Sequence, residues 1–299
     1  MIKKTRAAII GYGNIGKYVI DTILHSSDFE IVGIVRRNPS DTPPELKNFV
    51  ITDSITKLTN VDVAILCLPS RIVENAAKEC LALGINTVDS FDIHSKILSL
   101  RNSLSVFAKK QNAVAVVSAG WDPGSDSIVR ALMQAMSPSG ITYTNFGPGM
   151  SMGHTVAAKA IDGVENALSM TIPTGTGIHR RMVYVEIKEG YKLDEIAHAI
   201  KTDDYFAKDE THVFQVNDIN ELKDMGHGVE MNRKGASGNT QNQLFSFDMK
   251  VNNPALTAQM LINAARASFK LHPGAYTLIE IPVINFLPGK KEEWIEKLV

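Results

Sequence analysis

The sequence is poor in cysteine, lacks any long apolar run and has no excess of charge of either sign. Its 299 residues include two cysteines, Cys67 and Cys80. Two thiols, one in an apolar strand-like run and one on a helical segment, make neither a disulfide framework nor a zinc site. Both read as inert core residues. No stretch of about 18 consecutive apolar residues occurs, so no segment is expected to span a membrane. The opening MIKKTRAAII is basic, but its apolar run breaks at Gly11, too early for a signal peptide. A cytoplasmic address is therefore expected. Lys and Arg number 31 against 32 Asp and Glu, for a net charge of −1. With no long basic run, a nucleic-acid surface is not expected. Internal repeats and low-complexity segments are lacking too.

What is present suits a soluble globular protein of two domains. A hydrophobic content of 44% and a charged content of 21% can build a sizeable core at this length. Residues 1–120 alternate strand-like and helix-like segments. VDVAILCLPS (61–70) is a continuous apolar strand, RIVENAAKECLALG a helix closed by Gly84, INTVDSF a strand, SKILSLRNSLSVFAKKQ a helix and AVAVVSAGWD another strand. This rhythm predicts an α/β fold with a doubly wound, Rossmann-type parallel sheet. Later the pattern changes. In QLFSFDMKV (243–251), Phe245, Phe247, Met249 and Val251 alternate with Ser246, Asp248 and Lys250. A period of two predicts a sheet with distinct faces, largely antiparallel. A second, α+β domain is expected over 121–252 and 272–299, with the closing TLIEIPVINFL returning a strand to it. Between them, the 253–271 segment predicts an amphipathic helix that starts at an Asn cap, has Pro254 in its first turn and packs back on the first domain.

The densest signal is AAIIGYGNIGKYVIDTIL (7–24), an apolar strand, a glycine turn and a helix. Gly11 permits the turn, Gly13 leaves room for a pyrophosphate and Gly16 lets helix and strand pack. The helix start aims free N–H groups at an anion. A dinucleotide would thus lie along Gly11, Tyr12, Gly13, Asn14, Ile15 and Gly16. Ligands of such sheets bind beyond the carboxyl ends of the strands, which adds Leu68, Pro69 and Ser70. An NAD site would carry an acid at the end of the second strand. FEIVGIVRRN (29–38) offers Arg36 and Arg37 there instead, and Glu30 comes too early. Guanidinium forks suit a 2′-phosphate, so NADP is expected rather than NAD.

Two carboxylates stand at other strand tips, Asp92 in VDSFDIH and Asp122 in SAGWDPG. By spacing alone each reads as a helix N-cap, Asp122 with Pro123 at the first helical position. Their place on the ligand edge of the sheet gives a second reading, a pair that attracts a substrate ammonium and takes its proton, with Trp121 as a pocket wall. In the second domain GPGMSMGHT (147–155) is either a helix-entry loop or a carboxylate cradle built from the N–H groups of Met152 and Gly153. Arg181 opens a strand and reads as a rim charge or an anchor. His227 lies in MGHGVE, read as a loop, and has no partner at metal-ligand spacing; no metal is expected.

GYGNIG, VRRN, VDSFDIH, SAGWDPG, FGPGMSMGH, HRRMVYV, GHG and NNP occur in the order found in the meso-diaminopimelate dehydrogenase family, and the resemblance spans nearly the whole chain. The resemblance implies an NADP-dependent homodimer that oxidatively deaminates the D-centre of meso-2,6-diaminopimelate to L-2-amino-6-oxopimelate and ammonia. The reverse reaction would serve lysine and peptidoglycan-precursor synthesis. It implies that Asp92 and Asp122 hold and deprotonate the amine, that Trp121 and Phe146 line the pocket, and that Met152 and Gly153 bind the carboxylate of the reacting end. Thr171, Arg181, His227 and Asn253 would grip the distant L-centre. The sequence departs from some relatives in carrying Met152 where they have Gln, and in a shorter stretch from Thr171 to Arg181. Both departures bear on how strictly diaminopimelate is required over simpler D-amino acids. Two other readings fit the glycine motif: another two-domain reductase, of the dihydrodipicolinate reductase or homoserine dehydrogenase type, and a non-catalytic NADP sensor. The reductases do not explain SAGWDPG together with the later arginine and histidine, and the carboxylate pair argues weakly against the sensor.

Overall fold

The computed structural model describes residues 4–222, 227–239 and 241–299. It divides into two units, one of residues 1–128 and 254–299, the other of residues 129–253.

The first unit holds a seven-stranded sheet. In spatial order its strands are Gly274–Tyr276, Val114–Val116, Asn86–Asp89, Val63–Leu66, Thr5–Ile10, Phe29–Val35 and Ile51–Thr52, and every pairing is parallel. The apolar runs are continuous because both faces are covered. Ala7, Ile9, Val63 and Ile65 point into one core, while Ala8, Ile10, Ala64 and Leu66 point into the other. Helices Asn14–Leu24, Ser70–Ala82 and Ile97–Lys110 follow their strands as the rhythm predicts. Their inward positions, such as Val19, Ile20 and Ile23, recur at helical spacing.

Helix Asn253–Ser268 buries Ala258, Leu261, Ile262 and Ala265 in the first unit's core, as expected. The closing segment departs from expectation. It adds Gly274–Tyr276 to the edge of the parallel sheet and then forms 3-10 turns Leu278–Glu280 and Val283–Phe286. Leu278, Ile281 and Phe286 fill the first unit's core, so 272–299 belongs there and not to the second domain. The apolar spacing of TLIEIPVINFL comes from these turns, because Pro282 removes an N–H that a strand would need. The first boundary also moves. The units divide inside helix Ser125–Met136, so Trp121 and Asp122 stay with the first unit.

The second unit contains two sheets. One orders Glu210–Gln215, Ile178–Ile187, Val164–Gly175 and Gly149–Met150; the other orders Gln241–Val251, His227–Ser237 and Ser139–Phe146. Pairing is antiparallel except between Ile178–Ile187 and Glu210–Gln215. The period of two in Gln241–Val251 appears as alternating exposure, with Phe245, Phe247 and Met249 half-buried and Ser246, Asp248 and Lys250 exposed.

Candidate active site

In the first unit the three glycines of the opening turn have three different reasons. A Cβ on Gly11, whose φ is +98°, would lie 2.3 Å from the Cys67 carbonyl oxygen, and one on Gly16 would lie 2.5 Å from the Gly11 oxygen. A Cβ on Gly13 would meet nothing within 4 Å. Gly11 and Gly16 are thus fixed by packing, while the space at Gly13 is open at the start of helix Asn14–Leu24. That helix has no side-chain cap and no acid in its first turn, which leaves its positive end for an anion. Arg36 lies just beyond strand Phe29–Val35 and packs 6.0 Å from the centre of the Tyr12 ring. Its Nη1 is buried without a hydrogen-bond partner. A buried guanidinium nitrogen is costly to leave unpaired, and a phosphate oxygen would satisfy it. Arg37 is exposed. Tyr12 donates to Glu45 at 2.8 Å; burial, then this bond, pushes the phenol up to about 12.

Neither Asp92 nor Asp122 is the residue directly before the helix that follows it. The residue before 3-10 helix His94–Lys96 is Ile93, with no side-chain cap. Helix Ser125–Met136 begins three residues after Asp122, and Pro123 lies outside it. Asp92 is instead held by Ser70, the first residue of its helix. The Ser70 hydroxyl donates to Asp92 Oδ1 at 2.6 Å and accepts from the Asp92 N–H at 3.1 Å. Both tips share a deeper support that the sequence reading missed. Asp89 is fully buried at the end of its strand, and its Oδ1 accepts from the N–H of Phe91 at 2.9 Å and of Ser118 at 3.0 Å. Its carbonyl accepts from Ala119 at 2.7 Å. One carboxylate therefore ties the loop carrying Asp92 to the loop carrying Trp121 and Asp122. Trp121 is 3% exposed and bridges to Gly124. A Cβ on Gly124 would fall 1.9 Å from the Gly120 oxygen, so SAGWDPG is also a packing motif.

In the second unit the candidate residues converge on neighbouring strands. Thr171 and Arg181 are cross-strand partners in antiparallel register. This places both side chains on one face, where Arg181 Nη1 donates to the buried Thr171 hydroxyl. Arg181 is not a rim charge, because its side chain is 13% exposed and its Nε donates to Asp209 at 2.6 Å. His227 is not in a loop either. It begins strand His227–Ser237 and is buried; Met225 and Gly226 before it lie outside the described residues. Its ring meets Phe146 edge-on at 6.5 Å, and Nδ1 donates to the Gly228 carbonyl at 3.0 Å. Burial, with Arg181 and His179 nearby, pushes His227 down to about 4, so it is neutral at pH 7.

His179, which the sequence reading passed over, belongs to this cluster. Its ring lies 5.2 Å from Phe146, and its Nε2 accepts from the Phe146 N–H at 2.7 Å. Burial, then Arg181, lowers its pKa as well. Met152 and Gly153 open helix Met152–Lys159, and Ser151 before them forms no side-chain cap bond. Their N–H groups are at the end of the helix where no intrahelical acceptor exists. Gly147 in the same stretch serves packing, since a Cβ there would lie 2.2 Å from the Thr171 oxygen. Asn253 is the first residue of helix Asn253–Ser268.

The deciding comparison is with a Bacteroides fragilis protein named meso-diaminopimelate D-dehydrogenase, 64% identical over 299 residues and covering 100% of both chains. The chain belongs to the meso-diaminopimelate D-dehydrogenase family. It is an oxidoreductase with a Rossmann-type domain. The family's member from Corynebacterium glutamicum is 31% identical, with 98% of each chain covered. The solved C. glutamicum DAP dehydrogenase in complex with DAP superposes with a TM-score of 0.89 at 28% identity, covering 100% of both chains. An engineered D-amino acid dehydrogenase bound to NADP+ also gives 0.89, at 26% identity, with 99% of this chain and 100% of that one covered. The model of the diaminopimelic acid dehydrogenase C-terminal domain matches residues 120–180, and that of a CoA binding domain matches residues 2–92. Residues 120–180 run from the Trp121–Asp122 tip through Phe146, Met152, Gly153 and Thr171 to the residue before Arg181.

Proposed function

We propose that this chain catalyses the reversible, NADP-dependent oxidative deamination of the D-centre of meso-2,6-diaminopimelate, giving L-2-amino-6-oxopimelate and ammonia. One observation carries this reading. A carboxylate, Asp92, is held by Ser70 at the carboxyl edge of the sheet whose first turn leaves open space at Gly13. Family membership supports the same reaction, and the unpaired Nη1 of Arg36 supports a 2′-phosphate on the cofactor. Gly11, Tyr12, Gly13, Asn14, Ile15 and Gly16 would hold the pyrophosphate, Arg36 and Arg37 the 2′-phosphate, and Leu68, Pro69 and Ser70 the adjoining strand tip. NADP supplies the hydride acceptor. Asp92 and Asp122 orient the substrate amine and take its proton, which frees the nitrogen lone pair as the D-centre is oxidised. The reacting carbon must be held within about 3–3.5 Å of its acceptor, so positioning supplies much of the rate.

Met152 and Gly153 would take the carboxylate of the reacting end on the N–H groups that open their helix. Trp121 and Phe146 are the apolar walls. Thr171, Arg181, His227 and Asn253 recognise the L-centre, with Arg181 as the charged anchor and His227 as a neutral hydrogen-bonding group. The choice of D over L then follows from which hydrogen faces the cofactor when both ends of a long zwitterion are fixed. The protein acts as a homodimer. Gln241–Val251 is an edge strand of 11 residues, and Leu244 and Ile141 stand 70% and 57% exposed on either side of Lys234 in the same register row. A second copy would cover such an edge.

An NADP-reduction assay over D-, L- and meso-amino acids tests the function. Turnover is expected with meso-diaminopimelate and absent with its L,L-isomer. Equal turnover of the two isomers, or NADP binding without any amine oxidation, would overturn it.

A further inference from the structure

We propose that Asp209 is a specificity-determining positioning residue, which fixes the guanidinium of Arg181 so that only its outer fork is presented to the distant carboxylate of the substrate. The proposal rests on the reading of Arg181 as the anchor for that carboxylate. A long arginine side chain has large rotamer freedom, and an anchor that must first be immobilised binds weakly. Arg181 is immobilised from two sides. Thr171, directly opposite in the antiparallel register, takes Nη1, and Asp209 takes Nε at 2.6 Å. Nη2 makes no hydrogen bond among the described residues and Nη1 gives only one of its two N–H groups to Thr171, so the end of the fork, Nη1 with Nη2, is the edge left for an incoming carboxylate.

Asp209 is itself rigidly placed. It directly precedes strand Glu210–Gln215, its N–H donates to the Phe206 carbonyl at 3.0 Å, and its own carbonyl accepts from the Thr211 hydroxyl at 3.1 Å. Phe206 is buried. Asp209 also lies 4.0 Å from Nε2 of His154, whose Nδ1 is 2.8 Å from the Ser151 hydroxyl. Ser151 and His154 flank Met152 and Gly153. The short contact of Asp209 is the one to Arg181, at 2.6 Å against 4.0 Å to His154. It also neutralises Arg181, so a substrate lacking the second carboxylate leaves no unpaired buried cation behind.

D-Lysine is the informative probe, because it is diaminopimelate without the carboxylate of the L-centre. In Asp209→Ala, KM for meso-diaminopimelate should rise about 10- to 100-fold with kcat nearly unchanged, the loss of a charged hydrogen bond made equally in ground and transition states. The kcat/KM for D-lysine should stay within about threefold of the parent. Asp209→Asn keeps an acceptor for Nε and should recover most of the lost affinity. Asp209→Ser keeps a polar group at the half-buried position but cannot reach Nε, and should reproduce the alanine pattern if alanine disturbs folding. Equal losses on both substrates, or an unchanged or lower KM for diaminopimelate, would overturn the proposal. Arg181→Met separates it from the reading beneath it. If that change leaves KM for diaminopimelate unaltered, Arg181 is not the anchor at all. If it raises KM while Asp209→Ala does not, the anchor stands and only the role of Asp209 falls.

Discussion

At the scale of single residues, three charged or polar side chains do work that their neighbours in sequence do not announce. Asp89 is the clearest. It has no exposed surface, and burial pushes its carboxyl up to about 6 from an ordinary 3.8, against two backbone N–H groups that pull it down. Between those values the folded protein holds a proton that the unfolded chain has released. This group's contribution to stability therefore falls as pH rises through about 4 to 6, by up to about 3 kcal/mol. Asn cannot titrate, so Asp89→Asn should gain on the parent by about that amount between pH 4 and pH 7 in denaturant titrations. A gap that is the same at both pH values would contradict this. His227 works in the opposite direction, since a pKa lowered from 6.5 to about 4 means stability lost as pH falls through that window. It is common to both proteins and cancels in the comparison. Asp89 was hidden in the sequence because VDSFDIH offers two acids three apart, and only the closure of neighbouring strand ends shows which one is buried. Asp92, Asp122 and Arg181 lie in motifs that single them out, and Thr171 came only from the family resemblance; the structure pairs Thr171 with Arg181 across two strands. His179 was not, because nothing in HRR marks a histidine whose ring accepts a backbone N–H from another strand.

At the scale of elements, the alternating strands and helices of the first unit could be read directly. Parallel strands covered on both faces leave continuous apolar runs, and helices leave a 3.6-residue period. The closing segment could not be read this way. Short 3-10 turns also bring apolar residues inward at close spacing, and that resembled a strand. Helix Ser125–Met136 and the three-stranded sheet are fastened by Arg233, whose Nε and Nη2 donate to the Ser137 carbonyl and whose Nη1 donates to Thr142 at 2.8 Å. It is 1% exposed. Arg233→Met should cost about 2–5 kcal/mol in chemical denaturation, because it strands carbonyls at a helix end. Arg233→Lys should restore little, since a point charge cannot reproduce the fork. A lysine variant as stable as the parent would show that charge alone suffices. At the other end of the chain, the strand-end pair Arg36 and Arg37 is proposed to hold the cofactor's 2′-phosphate. Replacing both with neutral residues should weaken NADP about 10- to 100-fold in a binding titration and leave NAD unchanged. Parallel losses for the two cofactors would place the arginines elsewhere.

At the scale of the whole molecule, the proposed enzyme needs two units with separate tasks and a second copy of the chain. The exposed row Ile141, Lys234 and Leu244 beside an open strand edge is expected to be covered in solution. Sedimentation should give a mass near twice 32.7 kDa at assay concentrations. A fully active monomer would contradict the dimer. Asp92 and Asp122 are proposed to take the proton of the amine, and Asn is nearly isosteric but cannot take a proton. The direct measurement is kcat for meso-diaminopimelate oxidation by Asp92→Asn and Asp122→Asn, each first shown to fold and to bind NADP as the parent does. At least one should lose about 10²–10⁴ in kcat, with no recovery at saturating substrate. If both turn over like the parent across pH, the carboxylates do not handle the proton, and the proposed chemistry is wrong.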